Sequence, residues 1–141
     1  MPKHPVLFAA AVATLGALAV ALAAQAPSSR PAFAAGTSGA AVFRDNCATC
    51  HGDKGQGAPN VAPPLAKNSY ETGDPKKVIH TVLHGLTGPI KVNGKLWGDG
   101  TMPAWKGSLT NAQIAAVITY VRSSWGNKAS AVTEKQVASS K

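Results

Sequence analysis

The 141-residue chain predicts a small, mainly helical domain, on three observations. Capped segments with apolar residues at helical spacing run through Gly39–Cys50, Asp74–Leu86 and Thr110–Asn127. The stretches between them are rich in glycine and proline. Alternation is confined to one short hairpin around Asn93-Gly94.

The elements follow in chain order. Residues 1–34 read as an export signal: Lys3 stands in "MPKHP", and Val6 to Ala24 carry no charge. A small-x-small site, "AFA", ends at Ala34, whereas the earlier "AQA" is followed by Pro27. Cleavage after Ala34 is expected. An uncut Val6–Ala24 stretch is long enough to act as a membrane anchor, and either outcome puts the remainder outside the cytoplasm. The predicted domain then covers residues 35–126, and 127–141, "NKASAVTEKQVASSK", is expected as a flexible tail because it is small, polar and without strong periodicity, with a short helix starting at Ser130 as the alternative.

Ser38 caps the first helix, with Val42, Phe43, Asn46 and Cys50 along one stripe. "HGDKGQGAPNVAPPL" is a loop. Asp74 and Pro75 open the middle helix as N-cap and first-turn proline, and Val78, Ile79, Val82, Leu83 and Leu86 form its apolar face. "PIKVNGKLWG" is the hairpin; it could form a flap beside the site described below. Thr110 and Gln113 form a capping box for the last helix, whose buried stripe is Ile114, Val117, Ile118 and Val121 and which Gly126 ends. Gly39 and Phe43 invite a close crossing by this helix near Val117 and Tyr120.

The 107 residues left after cleavage carry twelve basic and six acidic side chains, a net +6. A core of this size is small, and an exported domain would ordinarily add disulfides. The chain has two cysteines, and both lie within "CATCH" at 47–51. A dithiol redox pair normally opens a helix after a strand, and no strand precedes Cys47. A zinc site lacks its second ligand pair. Covalent haem attachment fits. Two thiols one helical turn apart can each add to a vinyl group of one porphyrin, and His51 is then tethered beside the iron as an axial ligand.

The sixth iron position needs another donor. Met102, in "GDGTMPAWKG", is the only methionine besides the initiator. Its thioether is soft and suits low-spin iron that cycles between two valences. His80 and His84 are the rivals, but His80 faces away from the apolar stripe and His84 lies near its boundary. His51 also needs an acceptor for its other ring nitrogen, and the carbonyl of Pro63 is expected to provide it.

"CATCH", "GDKGQGAP…PPL", "GTMPAW" and "ITYVRSSWGN" together resemble a class I c-type cytochrome of the bacterial kind, over about residues 38 to 126. The resemblance implies the all-α cytochrome c fold around one haem c, with first and last helices crossing, His51 and Met102 as axial ligands, a proline carbonyl on the ligand histidine, and one haem edge exposed. The hairpin departs from many small members. "VNGK…MPAW" is similar to segments in cytochrome subunits of periplasmic dehydrogenases and in domains attached to terminal oxidases.

A saturated iron and the lack of a nucleophile–base pair point to a one-electron carrier, not an enzyme. Its expected setting is a periplasmic respiratory or oxidative pathway, with a dehydrogenase or quinol-oxidising complex as donor and a terminal oxidase or reductase as acceptor. A cytochrome subunit of a dehydrogenase complex and a haem-based ligand sensor are the alternatives. Lys54, Lys67, Lys91, Lys95 and Lys106 fall in segments expected around the haem and offer either solubility or a basic docking face. Scattered charge and the exported compartment argue against nucleic acid.

Overall fold

The computed structural model describes residues 1, 38–97 and 100–140. The expected export segment and its cleavage site lie outside the described residues.

Helix α1 spans Gly39–Asn46, where the Ser38 hydroxyl accepts from the Ala41 amide. The expected single helix through Cys50 breaks at Cys47, which caps α1 at φ −114°. The chain restarts at once as α2, Ala48–His51. A short α3, Ser69–Thr72, is capped by Asn68. Helix α4 covers Pro75–His84 with the Asp74 carboxylate on the Lys76 amide. It stops at Gly85, so Leu86, expected on its apolar face, instead begins strand β1, Leu86–Thr87. Strands β2, Ile90–Val92, and β3, Lys95–Trp97, pair across Asn93 and Gly94, both with positive φ. That geometry suits a two-residue primed turn. Strand β4, Thr101–Met102, returns to pair with β1.

Helix α5, Asn111–Ser123, carries both capping-box hydrogen bonds between Thr110 and Gln113. It crosses α1 where a β-carbon on Gly39 would overlap the Ala116 carbonyl and crowd Tyr120. Only glycine permits that approach. Phe43 then packs on Tyr120 and Trp125, with ring centroids 5.7 and 4.9 Å away. Val42, Phe43, Leu65, Val78, Ile79, Leu83, Ile114, Val117, Ile118 and Val121 form the core.

The stretch expected as a flexible tail belongs to that core. Residues Glu134–Ser139 form helix α6, with a second capping box between Thr133 and Gln136. Val132 and Val137 are 0% and 1% exposed. Two bonds pin the approach to α6: the Val132 amide donates to Thr119 Oγ1 at 2.9 Å, and the Ala129 amide donates to the Arg122 carbonyl. Two valines at a five-residue spacing are too sparse to show as periodicity, yet they suffice once α5 offers a matching surface. Among the described residues, no helix is long and apolar enough to cross a membrane.

Candidate functional site

The loop after α2 is folded tightly. The Gly57 amide donates to the His51 carbonyl, the Leu65 and Ala66 amides donate to Gly55, and Ala58 bridges Ala62. Gly57, at φ 74°, lies so close to Ala62, Pro63 and Pro64 that any β-carbon would collide with their backbone. This turn brings the Pro63 carbonyl to 3.2 Å from His51 Nδ1. Burial pulls the His51 pKa down, and the Pro63 bond opposes this. The imidazole is therefore held neutral and oriented, as a metal ligand must be.

Cys47 is half-buried and Cys50 exposed, and neither is in a disulfide. Burial, then the neighbouring Cys50, pushes the Cys47 thiol up to about 11. A catalytic redox dithiol depends on the opposite shift. Among the described residues, no three His, Cys, Asp or Glu side chains gather as a metal-ion cluster, so the zinc reading finds no ligand set.

Met102 comes from the other side of the molecule. Its strand is held by the β1 ladder, Leu86 opposite Met102 and Thr87 opposite Thr101. Beyond it, the Trp105 and Lys106 amides donate to the Val82 and Leu83 carbonyls at the end of α4. The β1–β4 pair has no sequence signature, because two-residue strands are too short for alternation to register.

Cys47, Cys50, His51, Pro63 and Met102 all line one cavity of about 350 Å³. Phe43, Val78, Val82, Ile90, Val92 and Trp97 are among its other walls. The hairpin is thus a wall of the cavity. Its turn is fastened, with Asn93 accepting from the Ser69 amide and donating to the Lys67 carbonyl. His80 and His84 stack on each other at 4.6 Å on the exposed side of α4 and do not line the cavity. Two thiols, one neutral imidazole and one thioether around an apolar cavity of cofactor size fit a covalently held haem.

Two further residues escaped sequence reasoning. Arg122 is 2% exposed, and its guanidinium donates to the carbonyls of Glu71, Gly73 and Ser130. Glu71 lines the cavity. Burial pushes its carboxyl up to about 7, against the lowering field of Arg122. In the sequence, Arg122 reads only as a basic residue in the last turn of a helix.

The sequence profile of the Cytochrome c family matches residues 36–125. The chain is 42% identical over 104 residues to the gluconate 2-dehydrogenase cytochrome c subunit of Pantoea cypripedii, covering 72% of this chain and 23% of that protein. It is 36% identical over 92 residues to the alcohol dehydrogenase (quinone) cytochrome c subunit of Gluconacetobacter polyoxogenes, covering 64% and 19%. It is 36% identical over 93 residues to cytochrome c-552 of Thermus thermophilus, covering 63% and 69%. The chain therefore spans no more than about a quarter of the dehydrogenase subunits it matches. Profile and cavity agree, and the chain belongs to the cytochrome c family, whose cofactor is covalently bound haem c.

Proposed function

We propose that this chain is a periplasmic one-electron carrier holding a single haem c, with Cys47 and Cys50 as the thioether attachments and His51 and Met102 as axial ligands. The observation that carries the reading is the joint lining of one apolar cavity by these four residues, with His51 oriented by Pro63. When bound, the haem supplies an iron that changes valence by one electron. The chain's own part is to fix both ligands, exclude water and leave no open coordination position. Cys47 and Cys50 anchor one edge. The Pro63 carbonyl accepts from His51 Nδ1 and sets the ring plane. The backbone pairings on either side of Met102 keep the residue at the cavity wall.

A docking face is supported by exposed apolar side chains beside exposed cations. Leu96 is 66% and Val61 56% exposed. Val61 lines the cavity, and Leu96 lies on the hairpin opposite exposed Lys91 and next to exposed Lys95, with Lys106 just beyond the Met102 strand. Apolar contact would give affinity there, and the lysines would raise the rate of encounter with an acidic partner.

A second reading is favoured by the 42% identity to a gluconate dehydrogenase cytochrome subunit: this chain takes electrons from a catalytic subunit within a dehydrogenase complex. Co-purification with a second polypeptide favours the complex, and isolation alone favours the free carrier. The central test is the reduced-minus-oxidised visible spectrum of the purified protein, with the pyridine complex. Sharp low-spin bands and a thioether-type pyridine spectrum are expected. A colourless protein, or haem extractable into acid organic solvent, overturns the proposal.

A further inference from the structure

The cavity wall contains an ionisable group that electron transfer of the ordinary kind does not use. Glu71 lies in α3 and lines the cavity. Among the described residues its carboxylate makes no hydrogen bond or ion pair, although the Glu71 carbonyl accepts from Arg122. Arg122 itself is bonded to neutral oxygens: the Glu71, Gly73 and Ser130 carbonyls and, at 3.5 Å, the Ser130 hydroxyl. A buried cation thus lies behind Glu71, bonded to its backbone carbonyl, while the Glu71 side chain on the cavity wall has no partner of its own among the described residues.

We propose that Glu71 is the proton-linked group of this cytochrome, taking up a proton when the site gains an electron and releasing it when the electron leaves. The inference rests on the reading that the cavity holds haem c. The balance is simple. One electron arrives from the redox partner, and one proton from bulk water forms an O–H bond at a Glu71 carboxylate oxygen. No bond to iron is made or broken. Reduction removes one positive charge from the cavity, and this withdraws an attraction that favours the ionised Glu71 carboxylate. By linkage, protonation of Glu71 favours the reduced state to the same extent.

The groups around Glu71 leave it alone in this role. Arg122, from α5, is held by the Glu71, Gly73 and Ser130 carbonyls. Tyr70, its neighbour in α3, is engaged with Thr81 Oγ1 at 2.7 Å. Asp74 and Lys77 on the α4 side, Lys67 before α3, Lys91 and Lys95 on the hairpin, and Lys128 after α5 are exposed to solvent. Burial has already brought the Glu71 carboxyl to about 7, so the uptake falls near neutral pH. The haem's own carboxylates are the competing source, and substitution separates the two.

The test is a spectroelectrochemical titration of the purified holoprotein from acid to mildly alkaline pH. The potential of the unmodified protein should fall as pH rises through neutrality. A tenfold difference in Glu71 proton affinity between the redox states corresponds to about 59 mV. Glu71→Gln should lose most of this fall and hold the potential near the acid-side value, and Glu71→Asp should retain a fall. A second measurement needs no variant: with carboxyl-labelled glutamate, the Glu71 resonance should titrate at higher pH in reduced than in oxidised protein. A fall that persists in full in Glu71→Gln, or identical Glu71 midpoints in both redox states, overturns the proposal. A haem c spectrum with a flat potential overturns this inference alone, whereas a sample without thioether-linked haem overturns it together with the cofactor reading.

Discussion

Met102 and the two surface histidines are separated by single substitutions. Met102→Ala should abolish the weak near-infrared sulfur-to-iron band of the oxidised protein. It should also admit carbon monoxide to the reduced form and lower the reduction potential, because the thioether favours ferrous iron. His80→Ala and His84→Ala should leave the spectrum unchanged, since both rings sit on the exposed side of α4. Loss of the band in either histidine variant would contradict the ligand assignment. Glu71 makes a separate prediction about stability. Its folded pKa is raised from 4.5 to about 7, so the stability it contributes is present at acid pH and is lost as pH rises through 7. Glu71→Gln should therefore be more stable than the parent at pH 8 by about 3 kcal/mol, at 1.36 kcal/mol per pKa unit, and no more stable near pH 4, as urea unfolding at the two pH values would show. Cys47, Cys50, His51 and Met102 were legible because rare residues at a fixed spacing carry information without a fold. Glu71 and Arg122 were not, because what distinguishes them is their place in the fold, Arg122 buried and Glu71 on the cavity wall, and a charged side chain in a sequence is read as solvated by default.

Among the elements, α6 contributes most against expectation. Truncation after Gly126 removes Val132 and Val137 from the core and strips Arg122 of its Ser130 partners. Val132→Ala and Val137→Ala should each cost about 2 kcal/mol, and the truncated chain should unfold well before the full one in a thermal melt. Indifference of the melt to truncation would mean that α6 is only loosely attached. Arg122→Met should cost about 3 kcal/mol by leaving the Glu71, Gly73 and Ser130 carbonyls without their donor. The three long helices were legible from caps and stripes. The caps at Ser38, Asp74 and Thr110 act in the structure as their chemistry requires. What local pattern could not give was the break at Cys47, the two-residue β1–β4 ladder, and the packing of a short polar segment. The last two depend on partners distant in sequence, and a window of neighbouring residues holds no record of those partners.

At the scale of the whole molecule, the cavity occupies the place where a larger protein would have more core. Cys47→Ala together with Cys50→Ala should give a largely unfolded, colourless chain by circular dichroism and absorbance, because a domain of this size has little apolar surface to spare. A well-folded, colourless variant would show that the core stands without the cofactor. The proposed periplasmic setting predicts a mature N-terminus at Ala35 by intact mass, with release by a salt wash; recovery only in detergent would mark Val6–Ala24 as an anchor. The contact between Gly39 and Ala116 joins the first described helix to the last long one, and this has a consequence for timing. A chain is made from its N-terminus, so α1 and "CATCH" emerge well before α5 exists to pack on α1. The core cannot shut until nearly the whole domain has been delivered. In that interval Cys47, which packs against the finished core, is still uncovered, whereas Cys50 stays exposed even in the folded chain.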